Sequence, residues 1–374
     1  MAAYLDHAAS SPLRPEALEA MLPWFTERHG NPTASHRRGR RARQALDDAR
    51  GVIADATGFG RGEVIFTGGG TESDNLAIGR GHGPGTIVVG ATEHPAVLEP
   101  AVRQQARIAP VDATGVVHAA AVVELVDEST EVVSVMAVNN ETGVQQPISD
   151  IADAVHAIAP DALVHSDAVQ ALPWLDLSTI SGGVDMLSIT GHKIGGPQGV
   201  GAVVVRDAKM PEPMLVGGGQ ERDRRAGTQN VAGAVGFAAA LQASVDDRSE
   251  RLARIGGLAT RLLDGLRDQI DGLAPTIDPV SRVPGIVHVC IPGISSEPLL
   301  FLLDQHDLAC SAASSCASGA QGGSHVLGAM GVDASNVAPL RLSLGWSTTD
   351  AEIDEALTVI PAAVRQLREG GARG

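Results

Sequence analysis

The sequence predicts an α/β protein: a mostly parallel sheet with helices on both faces, followed by a smaller second α/β layer. Short apolar runs alternate with helical patterns through the first two-thirds of the 374 residues, the order expected when crossover helices wind a parallel sheet. Several of those runs hold few alternating polar residues, which suits strands buried on both faces. The rhythm then changes at a long helical pattern from about Val231 to Gln269, which puts a boundary near residue 250.

Taken in order, Glu63–Phe66, Thr86–Val89, Val132–Val138, Leu163–His165, Met186–Ile189 and Gly201–Val205 read as strands. Between them Thr71–Gly79, Pro95–Gln105 and Ile148–Ile158 carry apolar residues at the three-to-four spacing of a helix with one buried face. Beyond residue 269 come a strand at Ile286–Cys290, a helix at Glu297–Asp304 and a loop at Cys310–Gly323. A strand at Arg341–Leu344 and a terminal helix opened by Thr349 close the chain.

Composition narrows the function class. The formal charge of −16 argues against a nucleic-acid or anionic-membrane surface. The one basic cluster, Arg37 to Arg43, reads as the solvated start of a helix. No apolar run approaches the length that spans a bilayer, and the N-terminus lacks the basic-then-apolar pattern of a signal peptide. Cys290, Cys310 and Cys316 are too few and too irregularly placed for a disulfide framework or a zinc site. A cytoplasmic enzyme with reduced thiols and no metal is the expectation.

Lysine occurs only at Lys193 and Lys209, although Lys and Arg together number 28. Lys193 lies in a glycine-rich turn, Gly191-His192-Lys193-Ile194-Gly195-Gly196, directly after an apolar run. Lysine is the side chain that condenses reversibly with an aldehyde, which makes this survivor conspicuous. Lys209 lies in a charged turn and reads as a solvated surface site. Upstream, Thr67-Gly68-Gly69-Gly70-Thr71-Glu72 joins a strand to a helix. Glycines there admit close approach of an anion to free N–H groups at the positive end of the helix dipole, although a tight connection alone also explains them. It lacks the lysine of a nucleotide P-loop and the spacing of the dinucleotide fingerprint.

Three further segments sit at strand ends, where ligands of open α/β sheets collect. Asp167, in His165-Ser166-Asp167-Ala168-Val169-Gln170, reads either as a helix cap or as the partner of a protonated ring nitrogen. His94, before Pro95, reads as a stacking proton shuttle or as the start of a helix. Asn139 and Asn140 serve a turn or a ligand. Cys316, among Ser, Ala and Gly, has the accessible setting of a reactive thiol, whereas Cys310 reads as structural.

These segments, in this order, resemble the pyridoxal-phosphate enzymes of aminotransferase class V, and specifically the NifS/IscS-type cysteine desulfurases. The resemblance runs from Tyr4-Leu5-Asp6-His7-Ala8-Ala9-Ser10-Ser11-Pro12 through Asn31 to His36. It continues through the glycine–threonine–glutamate loop, Glu93-His94-Pro95, the double asparagine, Ser166 to Gln170 and the Gly-His-Lys turn. Gly217 to Arg222, Arg225 to Thr228 and Arg341 to Gly345 complete it.

The resemblance implies fold type I of the pyridoxal-phosphate transferases. A large domain (15–250) would carry a mostly parallel seven-stranded-type sheet. A smaller C-terminal α/β domain (251–374) would carry the cysteine loop, with an N-terminal arm (1–14) associated with it. It implies pyridoxal 5'-phosphate held covalently by Lys193, which would also move a proton at the substrate Cα. Asp167 would pair with the ring nitrogen, and His94 would stack over the ring. Gln170 and Asn140 would contact its phenolic oxygen or the substrate. Gly70, Thr71, Thr190 and His192 would hold the phosphate, with Thr228 reaching across from the other subunit of a homodimer. Arg341 would clamp the substrate carboxylate. Cys316 would be the nucleophile that takes sulfur from L-cysteine as a persulfide, releases L-alanine and passes the sulfur to an acceptor protein of iron–sulfur cluster assembly or thiolation. The chain departs from the usual family pattern at Ala313, Ser315 and Gly323. Without the loop cysteine's chemistry, a transaminase or selenocysteine lyase on the same fold is the competing reading. A non-catalytic scaffold is the third.

Overall fold

The structure is a computed structural model that describes residues 2–60, 63–79, 81–206, 209, 212–312, 323–333 and 337–371. Its first elements are β1 (Ala3–Tyr4), α1 (Pro15–Phe25), α2 (Arg37–Thr57), β2 (Val64–Thr67), α3 (Gly70–Ile78), β3 (Ile87–Gly90), α4 (Pro95–Arg103) and β4 (Arg107–Ala109). There follow α5 (Ala119–Val123), β5 (Val132–Ser134), α6 (Ile148–Ile158), β6 (Leu163–Asp167), α7 (Leu177–Ile180), β7 (Met186–Thr190) and β8 (Gly201–Val205). The remainder comprises α8 (Val231–Asp246), α9 (Arg248–Gln269), β9 (Ala274–Pro275), β10 (Ile286–Pro292), α10 (Ser296–Gln305), β11 (Leu308–Ala309), α11 (His325–Ala329), β12 (Val337–Ser343) and α12 (Asp350–Gly371).

Seven strands form the main sheet in the order β2-β8-β7-β6-β5-β3-β4. All neighbours are parallel except β8, which runs antiparallel to both β2 and β7. The carboxyl ends of β2, β3, β5, β6 and β7 therefore share one edge. That edge carries the segments after Thr67, Gly90, Ser134, Asp167 and Thr190.

Both faces of the sheet are buried, as the near-continuous apolar strands require. On the α3/α4 face, Ile87, Val89, Val132, Leu163, Met186, Val203 and Val205 pack with Leu76, Ile78 and Val97. The opposite face presents Val88, Val133, Val164, Leu187 and Val204 to a larger core. Each such fully buried side chain contributes about 1.5–3 kcal/mol of transfer free energy. A three-stranded antiparallel sheet, β12-β10-β9, lies beyond α9. The N-terminal arm belongs with it: β1 pairs parallel with β11, and Asp6 bridges Ser343.

Some expected elements differ. The strand expected over Val132–Val138 ends at Ser134, because its neighbour β3 ends at Gly90. Val135 and Ala137 still donate to the His165 and Asp167 carbonyls, at 3.2 and 2.9 Å. The single long helix expected over Val231–Gln269 is two helices broken at Asp247 (φ −90°, ψ 0°). The Asp247 carboxylate binds Arg14 at 2.7 Å and Arg251 at 2.5 Å, which fixes the break. Lys209, expected as a solvated site, is half-buried and donates to the Pro160 and Ala162 carbonyls at 3.0 and 3.2 Å. The arginines of Arg37–Arg43 are exposed on the first turns of α2, as expected.

Candidate active site

A cavity of about 260 Å³ opens at the carboxyl edge of the sheet. It is lined by Gly70, Thr71, Asp74, His94, Asn140, Asp167, Gln170, Thr190, His192, Lys193 and Arg341, together with Ala8, Ala9, Met136 and Val169. Of the residues to which the resemblance assigns a site role, Thr228 and Cys316 are not among those that line it. Thr228 is exposed in a neighbouring cavity beside Gly68 and Gly199. Cys316 lies outside the described residues, as do Ala313 and Ser315.

β7 ends at Thr190, and a single 3-10 turn, Gly191–Lys193, swings the lysine over the strand ends. The turn is tight: a Cβ on Gly196 would stand 2.9 Å from the Gly191 carbonyl oxygen, and Gly195 has φ +83°. Only glycine fits both positions. Lys193 Nζ donates to the carbonyls of Ala8 and Ala9 at 2.6 and 2.8 Å. The N-terminal arm is therefore part of the site, and these two alanines were missed because a backbone acceptor leaves no residue-type signature. Gln170 also donates to the Ala8 carbonyl, at 2.7 Å.

Asp167 closes β6 at the floor of the cavity and is 5% exposed. Val169 N–H donates to its Oδ1 at 2.9 Å, but the segment that follows is a run of turns and no helix starts there, so Asp167 holds a turn where a helix cap was one expectation, and its carboxyl also lines the cavity. Burial raises its pKa, opposed by His94, the Val169 N–H and Lys193. No arginine or lysine pairs with it within salt-bridge distance among the described residues. A buried carboxylate in that position favours a cationic ligand.

His94 starts a helix, as one reading expected, and also lines the cavity. It caps α4, accepting from Ala96 N–H at Nδ1 over 3.1 Å. With Nδ1 accepting, the proton of the neutral ring sits on Nε2. Burial lowers its pKa, Asp167 opposes this, and Lys193 and His325 add to it. The result is a neutral flat ring on the cavity wall.

The glycine loop meets α3 without a side-chain cap at Gly69, so free N–H groups at the helix start face the opening. Gly69 has φ +148° with nothing within 4 Å of a built Cβ, whereas a Cβ on Gly70 would stand 2.9 Å from Val169 Cγ2. On the far side, His192 Nδ1 lies 3.3 Å from Ser10 Oγ, and burial followed by Lys193 pushes its pKa down to about 4. This anion cradle, the unpaired Asp167 and the single lysine fit a phosphorylated aldehyde bearing a basic ring nitrogen.

Arg341, on β12, is 4% exposed. Its Nη1 donates to the Asn140 carbonyl at 2.9 Å and its Nη2 to Asp6 Oδ1 at 2.8 Å, while Nε is buried without a partner among the described residues. Asp6 is a further site residue, and its role is visible only in the fold. Cys310 is half-buried, and burial first, then Asp6, pushes its thiol up to about 12, which agrees with a structural reading.

The segment that carries Thr228 is tied down by Glu221. Its buried carboxylate meets Arg50 at 2.7 Å and the Phe66 N–H at 3.0 Å. Glu221, Arg222 and Asp223 all adopt positive φ, a strained run held by those contacts.

The model of the aminotransferase class-V family matches residues 3–356. A Mycobacterium tuberculosis protein described as an IscS-like cysteine desulfurase is 42% identical over 384 aligned residues, covering 98% of this chain and 97% of that protein. A solved structure of a NifS-like protein superposes with a TM-score of 0.90 at 33% identity, covering 98% of this chain and 100% of the other. A structure of SspA in complex with cysteine matches with a TM-score of 0.79 at 28% identity, over 93% of this chain and 100% of that one.

Proposed function

The chain belongs to the aminotransferase class-V family, and on that premise we propose that it is a cysteine desulfurase, converting L-cysteine to L-alanine and carrying the sulfur as a persulfide on Cys316. The family depends on pyridoxal phosphate. The observation that carries the reading is the convergence of Lys193, Asp167, His94 and Arg341 on one cavity beside a glycine-lined helix start.

In this reading Gly70, Thr71, Thr190 and His192 hold the cofactor phosphate, Asp167 takes the ring nitrogen, His94 lies over the ring and Lys193 bonds the aldehyde. When bound, the cofactor supplies an electron sink for the charge that develops at the substrate Cα. Arg341 fixes the substrate carboxylate through charge-assisted hydrogen bonds, with the unpartnered Nε available to it. Asn140 and Gln170 contact the phenolic oxygen or the substrate. With the cofactor bound, Lys193 Nζ would take the Cα proton and return one as alanine forms. The Cys316 thiolate attacks the substrate sulfur: an S–S bond forms, the C–S bond breaks, and its electron pair stays with the carbon part that leaves as alanine. Persulfide sulfur then passes to an acceptor protein, of iron–sulfur cluster assembly or a thiolation pathway.

The same reading makes the protein a homodimer in the cytoplasm, in which Thr228 of the partner subunit completes the phosphate site. Exposed Leu18, Leu22 and Phe25 on α1, and Met214, Leu215 and Val216 ahead of the Thr228 segment, support it. No helix among the described residues is long and apolar enough to cross a membrane. The division into an arm (1–14), a large domain (15–250) and a small domain (251–374) is supported by the pairing of β1 with β11.

Purified holoenzyme should release alanine and sulfide from L-cysteine, and Cys316→Ser should lose both. Pyruvate-dependent transamination that survives Cys316→Ser, with no alanine from cysteine in either form, favours the transaminase reading and defeats this one.

A further inference from the structure

The N-terminal arm closes over the lysine turn through consecutive backbone groups. Each carbonyl of the turn from His192 to Gly195 accepts from the arm. Ser11 N–H donates to His192 at 2.8 Å, Ser11 Oγ to Lys193 at 3.1 Å, Arg14 Nε to Ile194 at 3.0 Å and Arg14 N–H to Gly195 at 2.8 Å. The lysine side chain answers in the other direction, its Nζ donating to the Ala8 and Ala9 carbonyls of two residues that line the cavity. We propose that His7 is a positioning residue for the reaction: through Ser11 it keeps the arm in register with the turn, so that the Ala8 and Ala9 carbonyls hold Lys193 Nζ where it moves the Cα proton. This rests on the role of Lys193 in the cysteine desulfurase reading.

His7 is 5% exposed, and a chain of hydrogen bonds runs through its ring. Ser11 Oγ uses its one hydrogen on the Lys193 carbonyl, so toward His7 it accepts. The 3.1 Å contact between His7 Nδ1 and Ser11 Oγ therefore has the proton on Nδ1. Nε2 of the neutral ring is then an acceptor, and Thr348 Oγ1, 3.3 Å away, supplies the donor. Thr348 in turn accepts from Gly345 N–H at 2.9 Å. From Gly345 through Thr348, His7 and Ser11 to the Lys193 carbonyl the bonds run one way, and one tautomer satisfies every member. Burial, opposed by Glu352, pushes the ring down to about 4, which agrees with the neutral form.

The ring is also wedged in place. A Cβ on Gly345 would overlap it, and the Tyr4 ring meets it edge-on with centroids 5.3 Å apart. The arm is pinned on either side of the two carbonyls: Ala8 N–H donates to Ser343 Oγ on β12 at 2.9 Å, and Tyr4 OH donates to the Ser10 carbonyl at 2.7 Å. His7 itself is not among the residues that line the cavity, so it acts on Lys193 through Ser11. The chemistry suits the contact. An amine that has taken the Cα proton is a donor with no acceptor, and two carbonyls at 2.6 and 2.8 Å are the partners it needs.

The test compares His7→Asn, His7→Gln and Ser11→Ala with wild type as holoenzymes. Asparagine puts an amide N–H where Nδ1 stands and keeps the bond to Ser11; glutamine reaches to where Nε2 stands and keeps the bond to Thr348 instead. Cofactor Kd is read from the visible band, and kcat from alanine formation with L-cysteine and with Cα-deuterated L-cysteine. His7→Asn should keep kcat within about twofold of wild type, whereas His7→Gln and Ser11→Ala should lose about fivefold to tenfold. The slowed variants should show an isotope effect no smaller than that of wild type, with Kd within about threefold. Should a His7 variant not fold, Ser11→Ala carries the same expectation. Wild-type kcat in His7→Gln or Ser11→Ala would overturn the inference, as would His7→Asn slowed as far as His7→Gln. So would a slowed variant without the isotope effect, or a Kd that weakens in step with kcat, since a merely structural role moves both. A wild type without the visible band defeats the cofactor reading as well; a normal wild type with any of those variant results defeats this inference alone.

Discussion

Replacing Arg341 separates substrate recognition from cofactor binding. Its guanidinium is almost fully buried and holds the Asn140 carbonyl and Asp6, and its Nε has no partner among the described residues. Hydrogen bonds to charged groups contribute about 1.5–3 kcal/mol each. A two-bond carboxylate clamp lost in Arg341→Ala therefore costs roughly 3–5 kcal/mol in kcat/KM, or about two to three and a half orders of magnitude. The fold should bear the change: Asp6, whose side chain is 22% exposed, rehydrates, so the loss of its partner costs about 1 kcal/mol. Arg341→Lys keeps the charge but loses the planar fork, and should fall between the two. The assay is alanine formation against L-cysteine concentration, with the cofactor spectrum and thermal midpoint measured on the same preparation. A kcat/KM within about fivefold of wild type, with a normal spectrum, would refute the clamp.

Two predictions concern the frame of the site. Glu221→Ala strips the buried Arg50 of its inner partner and the Phe66 N–H of its acceptor, and should destabilise the protein by about 3–5 kcal/mol in denaturant unfolding; a loss under about 1 kcal/mol would contradict it. Burial, and then Arg341, pushes His288 down to about 3 from an unfolded value of 6.5. Between those values the unfolded chain binds the extra proton, so the stability of wild type relative to His288→Gln should fall as pH drops from 6.5 and be constant above it. A pH-independent difference between the two unfolding free energies would refute that.

The strands were legible because each is apolar on both faces, and β8 matches its expected bounds, Gly201–Val205. That β8 runs against its neighbours was not legible, since an apolar run carries no direction. Helix α1 escaped because Leu18, Leu22 and Phe25 point away from the core, which blurs the one-sided pattern. The edge strand β4, Arg107–Ala109, is three residues long and too short to register. In the site, residue type and setting singled out Lys193, Asp167 and His94, and Arg341 came only from the family resemblance; all four line one cavity. Those acting through position were not singled out. Asp6 reaches Arg341 across 335 residues of sequence, and Asp74 joins the cavity lining only once α3 is folded over the sheet.

The identity of the cavity is tested most directly by where the cofactor is attached. Borohydride reduction of the yellow holoenzyme, followed by digestion and mass spectrometry, should place the pyridoxyl group on Lys193, with Lys193→Ala folded but lacking the visible band. A label on Lys209 or the N-terminal amine, or a band unchanged in Lys193→Ala, would contradict the assignment of this cavity as the pyridoxal-phosphate site.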